Sequence, residues 1–198
     1  MSLLYRSTLA AVILLSQVQP VAANNFGSDW NHTCDSTYAS QCMGWWVNGY
    51  QEFVLYAVNA PQAEATRYAC TYIFNPVTNL ECTEPPTTPV FGVDVYDESY
   101  GTIYYAWTAC ASVATMGGSS ASHTRSCVPQ QLRYDLSHAA AFDTVDKRRK
   151  IACHEFGHTY GLRHSTEGTG TCMTAVATDS TVVGISAHDK SHLNGYYQ

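Results

Sequence analysis

The chain has 198 residues, of which 45% are apolar, 12% aromatic and 13% charged, and its 10 basic and 16 acidic residues give a net charge of −6 at pH 7. This composition is too apolar and too weakly charged for a disordered chain, and the length suits one globular domain. The scarcity of Lys and Arg argues against a nucleic-acid-binding protein and against a polybasic membrane-surface protein. No apolar run approaches the roughly 20 residues of a membrane-spanning helix, so we expect no membrane association.

Residues 1–23 have the pattern of a secretory signal peptide. Arg6 precedes an apolar stretch over residues 7–18, and small residues then precede a cleavage position after Ala23. The alternative is an N-terminal membrane anchor, but the apolar stretch is short and no stop-transfer sequence follows it. We therefore expect a secreted, extracellular protein whose functional domain covers residues 24–198. Asn31 lies in the only glycosylation sequon, which matters only in a host that glycosylates.

All eight cysteines follow residue 23, and their even number favours disulfides in an oxidising compartment. No C-x-x-C pair occurs, which argues against a site built from thiolate zinc ligands. The sequence alone does not determine the connectivity, and nearest-neighbour pairing is the working prediction. That prediction pairs Cys34–Cys42, Cys70–Cys82, Cys110–Cys127 and Cys153–Cys172. As free thiols, Cys153 and Cys172 could instead ligate a metal, but secretion favours the disulfide.

In chain order, short β-rich segments come first and the longest helical pattern comes late. Pro61 predicts a helix that continues to Ala69, since proline is favoured in the first helical turn. Another helix is predicted over residues 143–162, with Asp143 or Thr144 as its N-cap. Strands are predicted over residues 52–58, 91–96, 102–108 and 131–136. Strands followed by a long helix indicate an α+β domain.

That late helix carries the residues with the clearest chemistry. Residues four apart share one helix face, so His154 and His158 can bind one ion. Gly161 can adopt a positive φ that ends the helix and lets His164 supply a third nitrogen. Three neutral imidazoles plus a water form an open, catalytic type of Zn²⁺ site, whereas structural zinc sites usually have four protein ligands. Glu155 can reach that water without ligating the ion, so we expect one catalytic Zn²⁺.

This eleven-residue string resembles the metzincin zinc endopeptidases, in which H-E-x-x-H-x-x-G-x-x-H is followed by a methionine-containing turn. Met173, nine residues after His164, matches that methionine, and Ser165 follows the third histidine as in the matrixin branch. Residues 185–197 resemble the matrixin C-terminal helix, in which Asp189 matches an acidic residue that braces the turn. The resemblance implies a metzincin-like fold with a mixed twisted sheet, an active-site helix and a small C-terminal subdomain that ends in a helix.

The resemblance also implies a substrate-binding edge strand within residues 91–108. Its residues would be Thr102, Ile103, Tyr104, Tyr105, Ala106, Trp107 and Thr108. The residues that bind structural zinc and calcium in vertebrate-type matrixins are not found, so a calcium requirement stays open. Ala175 stands where astacins have a tyrosine ligand, and His188 replaces the first acid of the matrixin pair. The implied form is a small secreted enzyme like the bacterial minimal matrixins.

These features together predict a monomeric, secreted zinc metalloendopeptidase that hydrolyses protein or peptide substrates. Zinc would lower the pKa of a bound water to about 7, and Glu155 would accept its proton as general base. The alternative is a secreted, disulfide-rich binding module with a non-catalytic zinc site. The retained Glu155 favours the enzyme, because a structural zinc site needs no general base.

Two further patterns are open to a functional and a plainer interpretation. His188 and His192 are four residues apart and could bind a second metal, although a solvent-facing helix is the favoured interpretation. Residues 147–150 are all basic, but acidic residues lie four positions before Lys147 and Lys150. Pairs at this spacing are ordinary on a solvated helix face, so no binding patch is predicted there.

Overall fold

The computed structural model describes residues 50–76, 78–85, 92–111, 113–115, 125–127, 129–162, 164–165, 170–174 and 183–197. The signal-peptide prediction for residues 1–23, the sequon at Asn31 and the Cys34–Cys42 pair fall outside the described residues. The Cys110–Cys127 pair also involves side chains outside the described part of the structure. In the part of the chain described, none of the helices combines the length and the apolar character needed to cross a bilayer.

The elements in chain order are β1 (Tyr50–Tyr56), α1 (Ala60–Tyr68), β2 (Glu81–Thr83), β3 (Val93–Glu98), β4 (Ala106–Cys110), β5 (Val113–Thr115), β6 (Arg125–Cys127), β7 (Gln130–Asp135), α2 (Val145–Thr159) and α3 (Ala187–Tyr196). Five of the described strands form one mixed sheet in the order β2-β1-β3-β7-β4. The first four strands in this order run parallel, and β4 pairs antiparallel with β7 at one edge. Strands β5 and β6 form a separate antiparallel pair. The predicted α+β class with a mixed sheet is confirmed.

The helix α2 lies at the centre of the core. Thr144 is its N-cap, and the Thr144 side chain accepts a hydrogen bond from the backbone N–H of Lys147 at 3.2 Å. The helix is shorter at both ends than the predicted range. Phe156 of α2 meets Phe53 of β1 edge to face, with ring centroids 5.6 Å apart, and it also packs near Phe74. This aromatic contact holds α2, which carries the histidine motif, against the sheet.

Two disulfides within the described part of the chain join neighbouring elements. Cys70–Cys82 joins the π-helical continuation of α1 (Ala69–Phe74) to β2, and Cys153–Cys172 joins α2 to the segment 170–174. Both pairs are among the nearest-neighbour pairs that the sequence favoured. The second bond matters for the site, because it fixes the chain after the motif against the helix that carries it.

The edge strand begins later than predicted. Of residues 102–108, only the last three belong to β4, whose pairing with β7 starts at Ala106 opposite Tyr134. The reason is Asp135, whose carboxylate accepts hydrogen bonds from the backbone N–H groups of Tyr100, Gly101 and Thr102. These N–H groups wrap around a carboxylate and are not available to a β-ladder. The predicted strand conformation of residues 102–105 is wrong, and Ile103 is 84% exposed.

Candidate metal centre

Three histidine side chains converge at the end of α2. His154 and His158 lie on one face of the helix, and Gly161, at a φ of 95°, ends it in the left-handed conformation. The chain then returns so that one ligand atom from each of His154, His158 and His164 lies within 4.8 Å of the others. The Nε2 atoms of His154 and His158 are 3.1 Å apart. The spacing brings all three nitrogens within reach of a single ion.

Backbone carbonyls orient two of the rings. His154 Nδ1–H donates to the carbonyl of Cys172 at 2.8 Å, and His158 Nδ1–H donates to the carbonyl of Leu162 at 2.7 Å. Because a carbonyl can only accept, each Nδ1 carries the proton and each Nε2 keeps its lone pair. Such second hydrogen bonds are typical of metal-binding histidines, since they hold both the tautomer and the ring direction.

The surroundings keep all three imidazoles neutral. Burial lowers the pKa of His154 to about 4, although the hydrogen bond to Cys172 opposes part of that change. Burial lowers the pKa of His158 well below its ordinary value, and electrostatic repulsion from His154 is a second, smaller cause. Burial also lowers the pKa of His164. Neutral imidazoles are the form that binds a metal, so the histidines need not release protons near pH 7 to act as ligands.

Glu155 follows His154 in the sequence, but its side chain is held by a residue of strand β4. Its side chain is buried, and Thr108 of β4 donates its hydroxyl to Glu155 Oε2 at 3.0 Å, with the Glu155 carbonyl also 3.0 Å from that hydroxyl. Burial raises the pKa of the Glu155 carboxyl to about 8, and the Thr108 hydrogen bond opposes part of the rise. A carboxyl tuned toward neutral pH is suited to accepting and returning a proton.

Met173 packs against the helix between the two histidines. Its side chain is fully buried, and a Cβ atom built on Gly157 would lie 2.3 Å from Met173 Sδ. A side chain at this position would force the end of the Met173 side chain to move, which accounts for a glycine in the interior of α2 despite its poor helix propensity. The backbone N–H of Ser165, next to the third histidine, donates to the Met173 carbonyl at 2.8 Å. The turn around Met173 thus supports both α2 and the chain near His164.

Asp189 of α3 supports the turn around Met173 through a hydrogen bond with Thr171. Its buried carboxylate accepts the Thr171 hydroxyl at 2.6 Å, and the same hydroxyl oxygen accepts the Met173 backbone N–H at 3.2 Å. Asp189 also forms a capping box with Ser186 at the start of α3. One carboxylate therefore joins the helix start to the methionine turn, where the family resemblance places an acidic residue.

Several contacts at the site join residues that are far apart in the sequence and that no local pattern would pair. The contact between Thr108 and Glu155 spans 47 positions, and that between Thr171 and Asp189 spans 18. From the sequence, Thr108 is expected only in the substrate strand, and no role is predicted for Thr171. Gly157 was also missed, although a glycine inside a strongly patterned helix is a usable signal of close packing.

Comparison with known proteins gives structural likenesses only. No protein-family model matches the sequence, and no curated protein matches it. High choriolytic enzyme 1, a hatching-enzyme zinc protease from the medaka fish Oryzias latipes, aligns with a TM-score of 0.47 at 12% identity, over 81% of this chain and 96% of that protein. Two structures of myroilysin align over 78% of this chain, with TM-scores of 0.44 and 0.43 and identities of 15% and 14%. These alignments include 95% and 86% of the two myroilysin chains, respectively.

Proposed function

We propose that the protein is a secreted zinc endopeptidase that hydrolyses peptide bonds in proteins or peptides. The observation that carries this proposal is the convergence of His154, His158 and His164 beside a buried carboxyl, Glu155. The donor set fits Zn²⁺, because three neutral imidazole nitrogens, with no fourth protein ligand in the cluster among the described residues, are typical of catalytic zinc sites. The resemblance to metzincins rests on the same residues.

The three histidines would hold the ion, which when bound supplies a Lewis acid that polarises a carbonyl and acidifies water. Glu155 accepts the proton of the attacking water and passes it to the nitrogen of the leaving amine. Thr108 holds the Glu155 carboxyl in place through its hydroxyl. The carbonyls of Cys172 and Leu162 keep the first two imidazoles in the required tautomer.

Strand β4 is the proposed binding place for an extended substrate. It lies at the edge of the five-stranded sheet, and it carries Thr108, which contacts Glu155. A peptide added along this edge would be held by main-chain hydrogen bonds, which tolerate many side chains. The substrate strand is thereby limited to Ala106–Cys110, since residues 102–105 do not have strand conformation.

The disulfides Cys70–Cys82 and Cys153–Cys172 support secretion, because disulfides persist in oxidising compartments. Removal of residues 1–23 remains a prediction, as does the monomeric state. N-terminal sequencing of the protein recovered from the medium of an expressing culture tests the first, with Asn24 expected as the first residue. Sedimentation of the same sample tests the second.

The decisive experiment compares wild-type protein with Glu155→Gln in digestion of casein and of a fluorogenic peptide. Removal of a general base lowers kcat by a factor of about 10² to 10⁴, while zinc content measured by atomic absorption should stay unchanged. Glu81→Gln is the matched control, because Glu81 is exposed on β2 at the opposite edge of the sheet. A chelator should abolish wild-type activity, and added Zn²⁺ should restore it.

Two outcomes would contradict the proposal. An unchanged rate in the Glu155→Gln variant would remove Glu155 from the mechanism. Wild-type protein that binds zinc but cleaves no substrate in either assay would favour the alternative, a disulfide-rich binding module with a non-catalytic zinc site.

A further inference from the structure

The helix α3 carries a second pair of facing imidazoles. His188 and His192 lie four residues apart, and their Nε2 atoms are 2.9 Å from each other. Their ring centroids are 4.3 Å apart and the ring planes meet at 75°. The pair closely matches His154 and His158, whose Nε2 atoms are 3.1 Å apart and whose ring planes meet at 86°. Both side chains of the α3 pair are partly exposed.

We propose that His188 and His192 form a second metal site, separate from the catalytic one, for a divalent transition metal of the Cu²⁺ type. Two nitrogens at 2.9 Å cannot both carry a proton along the line between them, so at least one directs a lone pair into the gap. The same gap accepts a cation bound by both nitrogens. Residues four apart on a helix are the spacing at which two histidines bind one ion.

The ligand type points to the kind of metal. Two imidazole nitrogens with oxygen ligands in the remaining positions form a set that is typical of Cu²⁺ and Ni²⁺. Cu²⁺ has the highest affinity in the divalent series. Water would complete the coordination, since the side chains are partly exposed.

A metal at this position would act on α3 and on the turn that α3 supports. Asp189 lies between the two histidines in sequence and accepts the Thr171 hydroxyl of the methionine turn. Further along α3, Leu193 is buried, and after the helix the Tyr197 hydroxyl donates to the Tyr160 carbonyl at 3.0 Å. An ion bound across the first turns of α3 would hold its helical conformation and so the position of Asp189. The site does not depend on proteolytic activity.

The test uses the protein recovered from the culture medium and loaded with Zn²⁺, to which Cu²⁺ is added. The variant is His188→Gln/His192→Gln, because glutamine keeps good helix propensity. The two single variants are examined alongside it. Ser191→Gln, an exposed position on the same helix, is the matched control. Bound copper and zinc are measured by elemental analysis after gel filtration, copper ligands by electron paramagnetic resonance, and stability by thermal unfolding.

Wild-type protein and Ser191→Gln should bind about one equivalent of copper while keeping their zinc, with hyperfine splitting from two nitrogens and a raised melting temperature. The double variant and both single variants should lose this binding by tenfold or more, with proteolytic activity unchanged. The proposal is overturned if copper only replaces zinc, if the wild-type spectrum lacks two nitrogen ligands, or if the single variants bind copper as tightly as wild type.

Discussion

Replacement of Asp189 by alanine should destabilise the whole domain, because its carboxylate holds the methionine turn. Three donors converge on Asp189 Oδ2, namely the Thr171 hydroxyl at 2.6 Å and the Ser186 hydroxyl and backbone N–H at 2.9 Å each. Thr171 is fully buried, so its hydroxyl proton would be left without an acceptor. The variant therefore tests whether a polar contact between α3 and the turn contributes to the free energy of unfolding.

The expected cost can be worked from these contacts. An unpaired buried hydroxyl costs about 1–3 kcal/mol. Loss of the Asp189 half of the capping box leaves the Ser186 backbone N–H without its acceptor and costs about 1 kcal/mol more. The free energy of unfolding should thus fall by about 3 kcal/mol, which for a chain of this size lowers the melting temperature by about 6–12 °C.

Urea unfolding followed by tryptophan fluorescence measures the change, and a double-mutant cycle with Thr171→Val isolates the contact. In the Thr171→Val background the Asp189→Ala change should cost only about 1 kcal/mol, since only the cap is then lost. The single variant Ser186→Ala measures how much the Ser186 N-cap hydrogen bond contributes to the free energy of unfolding. Equal costs of Asp189→Ala in both backgrounds would refute the reasoning, because the Thr171 contact would then contribute nothing.

The other predictions concern β4 and the segment before it. Thr108→Val should lower kcat about tenfold with little change in KM, because the Glu155 carboxyl loses the donor that positions it. Thr108→Ser should restore the rate, because it keeps the hydroxyl. A change confined to KM would mean that Thr108 serves only substrate binding. Burial alone would raise the pKa of Asp135, but hydrogen bonds from Ser137 and Thr102 outweigh it and hold that pKa well below its ordinary value. The depressed pKa means that the carboxylate stabilises the fold above about pH 4 and loses this contribution as the pH falls further, because the unfolded chain then takes up the proton more readily. The urea midpoints of wild type and Asp135→Asn should therefore differ at pH 6, and the difference should begin to narrow as the pH falls below about 4. A difference that stays constant with pH would contradict this assignment.

The sequence alone was sufficient for features that depend on neighbouring residues. The i, i+4 placement of His154 and His158 follows from helix geometry, and the helix end at Gly161 follows from the conformational freedom of glycine. The predicted nearest-neighbour bond between Cys153 and Cys172 closes a short loop. The α+β class also follows from local patterns, because strand and helix periodicities are read within a few residues.

Only the tertiary structure decided which distant groups meet. Asp135 binds backbone N–H groups more than thirty positions away and so keeps residues 100–102 out of the β-ladder. The contact between Thr108 and Glu155 depends on the packing of α2 against the edge strand. Met173 approaches Gly157 because the chain after the motif folds back beneath the helix. Such contacts have no periodic signature in the sequence, since their energy depends on distances that exist only once the core has formed.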